Sequence, residues 1–177
     1  QFASIIITRA ILTFGETAYA AYQLGLQAES ISYMPAAGFG IAASTFIGQS
    51  VGKKDSNLGR AYLGHLIRIS LIVTIIAGGA LIFFPTLIMR ALSDDPNVIS
   101  IGAVYLFVMG LLQIPQNMAS LLNGALRGAG YPKAPMVNVG AGLWLIRIPL
   151  VLLFTYIFDL SIFWIWIAMG IDLLTRF

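Results

Sequence analysis

The sequence predicts an all-α protein that crosses a membrane repeatedly, as a single six-helix lobe over residues 1–177. Apolar residues make up 59% of the chain and charged residues only 10%, against about 25% charge in a soluble domain. The apolar residues are gathered into six long segments separated by short charged loops, and the mean hydropathy is +0.90. Because lipid offers no partner for a free peptide group, such segments must be helical.

The six segments differ in length, and their expected bounds follow the apolar runs. They cover residues 1–14, 18–49, 61–89, 98–126, 134–158 and 161–177. A membrane helix needs about 20 apolar residues, so we expect the first and last helices to be truncated. Gly15 separates the first pair. In the third segment, charge is confined to the start, at His65 and Arg68, before Arg90 closes the run.

Local signals mark both ends of the fourth helix. Asp95 and Pro96 predict its start, as the N-cap and the first helical residue. Residues 128–132 predict its end, because their glycines adopt left-handed backbone and their proline cannot continue a helix.

Prolines interrupt three of the apolar segments, at Pro35, Pro115 and Pro149. Each proline frees a carbonyl four residues earlier, which neighbouring groups must satisfy. Such bends serve as hinges in proteins that change shape, so these three prolines are candidate hinge residues.

The loop charges predict how the helices are oriented. Basic residues gather after the second and fourth segments and at the C-terminal end. They are Lys53, Lys54, Arg60, Arg127, Lys133 and Arg176. The opposite side carries Arg90 together with the acidic pair Asp94 and Asp95. The positive-inside rule then places the first group, and both ends of the chain, on the cytoplasmic side.

The residue types exclude several classes of site. The chain has no cysteine and one histidine, His65, so no metal centre is expected. Residues 48–53 are one residue short of a phosphate-binding loop, and Lys54 stands where that motif requires Ser or Thr. No hydrolase motif or nucleophile–base pair is present, so we expect neither an enzyme nor a nucleic-acid-binding protein.

A band of polar residues runs along the fourth segment. Steps of three and four place its members on one helix face, which in lipid must turn towards other helices or a water-filled cavity. The members are Gln113, Gln116, Asn117, Ser120, Asn123, Gly124 and Arg127. The first four are candidates for a substrate or ion pathway; the alternative is hydrogen bonding between helices, at about 0.6 kcal/mol per pair. Gly124 and Gly128 predict a close helix contact instead.

The second segment contains a carboxylate, Glu29, beside the amides Gln23 and Gln27. An acidic residue inside a membrane span is costly, and by default it marks a functional site. Glu29 is therefore a candidate for ion coupling or substrate binding, and the two amides are candidate pathway residues. The alternative is that the membrane-embedded part of the helix starts later, which leaves Glu29 at the outer interface.

The last two segments add further charges. Arg147, just before Pro149, is a candidate pathway residue, although a structural role is the stronger interpretation. Its guanidinium would then bind nearby carbonyls or pair with an acid elsewhere in the full protein. Asp172 and Arg176 lie four residues apart, which predicts an ion pair along the last helix.

Five stretches carry a family resemblance. They are AAYQ at 20–23, ESISYMPAAGFG at 29–40, GQ at 48–49, LRGAGYP at 126–132 and WLIRIP at 144–149. In this order and spacing they resemble the C-terminal half of the multidrug and toxic compound extrusion (MATE) transporters of bacterial type, over nearly the whole chain.

The resemblance implies twelve helices in two six-helix lobes around a central cavity, of which this chain is the second lobe. It implies export of drugs or organic cations by antiport of Na⁺ or H⁺, through alternating access, with no other cofactor. The implied partners are the lipid bilayer, the N-terminal lobe and small organic cations or drugs. The implied location is the plasma membrane, as a multi-pass protein of the bacterial inner membrane type.

The chain departs from the family where some members carry acidic residues. Gln116 stands at the position of an acidic residue in the tenth helix, and a neutral amide cannot take up a proton. Glu29 or the missing half is then expected to couple transport. The alternatives are a lipid-linked oligosaccharide flippase of the same superfamily and a non-transporting membrane scaffold whose polar band only joins helices.

Overall fold

The computed structural model describes residues 2–154 and 162–175, and the regular structure in these residues is entirely helical. The elements are α1 (Phe2–Leu12), α2 (Glu16–Gly52), α3 (Ser56–Phe83), α4 (Pro85–Arg90), α5 (Pro96–Gly128), α6 (Lys133–Ala141), a π-helical segment (Gly142–Arg147), α7 (Ile148–Leu152) and α8 (Ile162–Thr175). By length and composition, α2, α3, α5 and the continuous stretch Lys133–Leu152 can each cross a membrane. The predicted all-α, multi-span fold is therefore confirmed.

The helix ends follow the local signals in the sequence. Asp95 caps α5 as predicted, because its side chain accepts a hydrogen bond from the Asn97 backbone N–H at 2.8 Å. Gly15, between α1 and α2, and Gly130, after α5, have φ values of 100° and 91°. This left-handed backbone is the conformation that favours glycine and that separates one helix from the next.

The span expected over 61–89 is divided in the structure. It starts earlier, at Ser56, where the Asp55 side chain accepts from the backbone N–H groups of Asn57 and Leu58. It is then broken near Pro85, which occupies the first position of the short helix α4. A proline has no N–H to continue the preceding helix but is well suited to begin the next one.

The span expected over 134–158 changes helix type before Pro149. Within the π-helical segment the Ile148 N–H bonds to the Leu143 carbonyl, five residues back. This wider turn accommodates the proline ring, and single π-helical turns of this kind occur frequently at functional sites in proteins. The part of the expected span after residue 154 lies outside the described residues.

Helices α2 and α5 run in the same direction and approach each other closely over their C-terminal halves. A Cβ added to Gly124 would overlap the carbonyl of Gly40, and one added to Gly128 would overlap that of Ser44. The close contact predicted at Gly124 and Gly128 is therefore confirmed. Small residues four apart on both helices allow this backbone approach.

The main apolar core lies towards the other ends of α2 and α5, where α1 and α8 join them. At its centre Tyr22, Tyr105 and Trp166 contact one another. The Tyr22 ring stacks on Trp166 at 5.5 Å, and Tyr105 meets Trp166 edge-on at 4.9 Å. Such aromatic pairs are rigid and add about 0.5–1.5 kcal/mol each beyond their buried area. They provide a fixed base for the polar groups described next.

Candidate functional site

A cavity of about 940 Å³ lies between α2, α5, α6, the π-helical segment and α8. This volume is near the upper end of the roughly 300–1,000 Å³ of pockets for drug-sized ligands. Most of its lining is apolar. The polar and charged side chains that line it include Glu29, Gln116, Ser120, Asn123, Arg127 and Arg147. A largely apolar cavity with a few oriented polar groups is the usual form of a small-molecule site.

Glu29 is the acidic group of this cavity, and it is only 8% exposed. Its carboxylate accepts one hydrogen bond from the Tyr105 hydroxyl at 2.5 Å and another from the Gln116 amide nitrogen at 3.3 Å. Both partners are hydrogen-bond donors, and an ionised carboxylate can only accept hydrogen bonds. Since a buried charge must be hydrogen-bonded or paired, the two donors allow a charged group to sit here within reach of the cavity.

Tyr105 is a site residue that the sequence analysis missed. It lies eleven residues before Gln116, three helical turns, so both side chains project from the same face of α5 towards Glu29. That spacing is the signal that could have identified it. Gly25 on α2 makes room for the tyrosine, because a Cβ there would lie 2.5 Å from the Tyr105 ring.

Arg147, in the π-helical segment, forms an ion pair with Asp172 of α8. The Arg147 Nε atom lies 3.7 Å from an oxygen of Asp172, whose side chain is fully buried, while the arginine side chain is 22% exposed. The pairing of Asp172 with Arg176 expected from the sequence involves a residue outside the described part of the chain. A buried carboxylate needs a counter-charge. Arg147, in the π-helical segment, supplies this charge to Asp172 on α8.

The side chains of the predicted polar band on α5 face two different neighbours, helix α3 and the cavity. Gln113 and Asn117 do not line the cavity; they are buried against α3, where the Asn117 amide donates to the Thr74 hydroxyl at 3.0 Å and to Gln113 at 3.3 Å. Gln116 and Ser120 face the cavity. Residues spaced by three and four cover about a third of the helix circumference, which is wide enough to contact one helix and one cavity.

The contact between Asn117 and Thr74 gives a first prediction. In a double-mutant cycle, Thr74→Val and Asn117→Ala should show a coupling energy of about 0.6 kcal/mol, and at most about 1.7. Thermal unfolding of the four proteins in detergent measures it. The control cycle pairs Asn117→Ala with Thr45→Val, whose hydroxyl bonds only to the Ile41 carbonyl of its own helix among the bonds described. Equal coupling in both cycles would contradict the assignment.

The remaining candidates lie apart from the cavity lining. The Gln23 amide donates to the Tyr19 hydroxyl at 2.6 Å, and Gln27 is exposed. Pro35 and Pro115 lie inside the uninterrupted helices α2 and α5, whereas Pro149 coincides with the change from π-helix to α7. Their predicted roles as pathway and hinge residues stay predictions.

Comparison with known sequences identifies a matching protein family and several similar proteins. A family model described as MatE matches residues 1–153. The probable multidrug resistance protein NorM of Thermotoga maritima is 31% identical over 174 residues, which is 97% of this chain and 37% of that protein. The protein of the same name from Neisseria meningitidis serogroup A is 30% identical over 159 residues, 90% of this chain and 35% of that protein. The chain thus spans little more than a third of these curated relatives.

Solved structures share the fold. A MOP superfamily transporter from Pyrococcus furiosus superposes with a TM-score of 0.90 at 18% identity, over 99% of this chain and 38% of that one. The inward-facing conformation of a multidrug resistance MATE family transporter gives 0.87 at 19% identity, over 98% of this chain and 39% of that one. At this level of identity the likeness concerns the fold alone.

Proposed function

The chain belongs to the MatE family of membrane transporters, and on that basis we propose that it forms one lobe of a secondary transporter. The complete protein would export drugs or organic cations in exchange for Na⁺ or H⁺, and this chain would be its C-terminal lobe. An N-terminal lobe would close the open side of the cavity. The protein would be a multi-pass component of the plasma membrane, of the bacterial inner membrane type, without enzymatic activity.

One observation carries this proposal. A carboxylate, Glu29, is held inside a membrane lobe at the edge of an apolar cavity of drug-like size, with two hydrogen-bond donors that keep it oriented. Burial of a charge in this position costs stability and has no packing purpose. A coupling cation or a cationic substrate would compensate the charge directly.

The proposed mechanism is alternating access. Binding of Na⁺ or H⁺ at Glu29 favours one orientation of the two lobes, and binding of substrate favours the other, so that the two ligands are exchanged. Gln116 contacts the same carboxylate, and Ser120 lines the same cavity. Pro149 and the π-helical segment provide a place where the wall beside Arg147 can bend.

Two alternatives remain distinct from this proposal. A lipid-linked oligosaccharide flippase is favoured by one feature, the two arginines Arg127 and Arg147 in the cavity lining. Glu29 in the same cavity argues against a flippase, because its carboxylate would repel a pyrophosphate group.

A scaffold without transport is favoured by Gln113 and Asn117, which only join α5 to α3. The scaffold hypothesis does not account for the charged residues that line the cavity.

Transport by the intact protein in liposomes tests the proposal. We expect purified transporter to move ethidium against its concentration gradient when an inward-directed Na⁺ or proton gradient is imposed, and to stop when that gradient is collapsed. Empty liposomes serve as the control. Ethidium movement that ignores both ion gradients would exclude antiport, and no movement under any gradient would favour the scaffold.

A further inference from the structure

Arg68 lies on an exposed and otherwise apolar face of α3. Steps of four place it in line with Ile72 and Ile76, whose side chains are 60% and 68% exposed. No residue of α3 is among those that line the cavity, so this face is turned away from the side that a second lobe would cover. In a membrane the exposed isoleucines contact lipid, and Arg68 is directed at lipid with them.

The position of Arg68 along α3 places its Cα inside the hydrocarbon layer. Tyr62 and Phe83 are 21 residues apart, about 32 Å of helix, which matches a hydrocarbon thickness of about 30 Å. Tyrosine is enriched at the membrane–water interface, and Arg68 lies about 9 Å further in than Tyr62. A charge at this depth is costly unless the long side chain extends back to the headgroups.

The surface of α3 between Arg68 and the cytoplasmic end has room for a headgroup. The residues one and two turns away are small, Gly64 and Ala61, and a Cβ added to Gly64 would meet no atom within 4 Å. His65 is exposed beside them, and its Nδ1 atom lies 2.8 Å from the Ala61 carbonyl oxygen. The second imidazole nitrogen stays available, so the recess offers a guanidinium and an imidazole to one ligand.

The described protein supplies no counter-charge to Arg68. Its side chain forms no ion pair or hydrogen bond with another described residue, and α3 contains no acidic residue. The carboxylate just before the helix, Asp55, accepts hydrogen bonds from the backbone N–H groups of Asn57 and Leu58 as the N-cap. An arginine has five N–H donors in a planar fork that matches a phosphate, and here all of them remain for an external anion.

We propose that Arg68 and His65 bind the phosphate of an anionic phospholipid, phosphatidylglycerol, in the cytoplasmic leaflet. The acyl chains lie along the exposed isoleucines of α3. Lys53, Lys54 and Arg60 are at the same end of the helix, which the positive-inside rule assigns to the cytoplasm, and basic groups near that leaflet attract anionic lipids. This site is separate from the cavity and does not depend on the compound or ion that is transported.

Lipid binding to the intact transporter in detergent tests the inference. Native mass spectrometry measures the dissociation constant of the first bound lipid, for dioleoyl phosphatidylglycerol and for dioleoyl phosphatidylcholine, which have the same acyl chains. We expect the wild type to bind phosphatidylglycerol more tightly. In Arg68→Gln its dissociation constant should rise at least about tenfold, because a charge-assisted hydrogen bond is lost, and the preference over phosphatidylcholine should disappear. Arg68→Leu should behave in the same way and matches the neighbouring isoleucines, so its fold is not at risk.

Arg60→Gln is the matched control. It removes an equal charge from the same end of α3, but eight residues from Arg68 and about 80° around the helix. It should keep the wild-type preference.

Four results would overturn the inference. They are equal binding of both lipids by the wild type, an unchanged preference in R68Q and R68L, an equal loss in R60Q, which would indicate general surface charge, and a wild-type dimer that R68Q dissociates without a change in lipid binding. The last result would assign this face to a second copy of the protein.

Discussion

Replacing Glu29 by glutamine is expected to weaken the dependence of export on the coupling cation while the lobe remains folded. A direct contact between a cation and a carboxylate at about 4 Å contributes about 4 kcal/mol at an effective dielectric constant of about 20. Part of that energy is offset by desolvation of the cation. We therefore expect at least a tenfold rise, about 1.4 kcal/mol, in the cation concentration that gives half-maximal export.

The fold should tolerate this substitution because the neighbouring groups can adapt. The side-chain carbonyl of the introduced glutamine can still accept the hydrogen bond that Gln116 donates to Glu29, and the Tyr105 hydroxyl can turn to accept a bond from the new amide. The measurement is export by the intact transporter over a series of Na⁺ concentrations and pH values, with thermal stability recorded in parallel.

The matched control is Glu16→Gln, since Glu16 lies exposed in the first turn of the same helix and does not line the cavity. It should keep the cation dependence of the wild type. If Glu29→Gln exported substrate with the same cation dependence, the coupling ion would bind elsewhere and Glu29 would have a structural role.

The fold was predictable from local features, and its irregularities were not. Lipid makes long apolar runs helical, and Asp95 and the glycines around residue 130 mark their ends, so the span positions followed directly. The break at Pro85 was missed because the apolar character continues across it. The π-helical turn before Pro149 depends on how the backbone avoids a clash with the proline ring. A hydropathy pattern carries no information about this backbone geometry.

The candidate site was predictable where a single residue carries the signal. Glu29 was identified because an acid in an apolar helix has few structural explanations. Its partner Tyr105 is 76 positions away in the sequence, and Arg147 and Asp172 lie on separate helices. Such pairings depend on which helix faces pack together. The pairing of Asp172 with Arg176 stays a prediction, because Arg176 lies outside the described residues; the ion pair of Asp172 with Arg147 was not predicted, because those two residues are 25 positions apart in the sequence.

A second large effect is expected at Gly124, where α5 meets α2. The Cβ of Gly124→Ala would overlap the carbonyl oxygen of Gly40 and would lie 2.8 Å from its Cα. These are backbone atoms, so no side chain can rotate away, and the two helices must separate. Overpacking of this kind costs about 1–3 kcal/mol or more. At about 2–4 °C per kcal/mol for a chain of this size, a cost near the upper value lowers Tm by about 6–12 °C.

The same substitution should also reduce export, because α2 carries Glu29 and α5 carries Tyr105 and Gln116. Moving the helices apart lengthens both hydrogen bonds that orient the carboxylate. Gly64→Ala in α3 is the matched control: a Cβ there meets no atom within 4 Å, and alanine is a better helix former by about 1 kcal/mol. It should therefore leave Tm unchanged or raise it. A Gly124→Ala protein whose Tm and export both equal those of Gly64→Ala would show that this contact does not hold the site together.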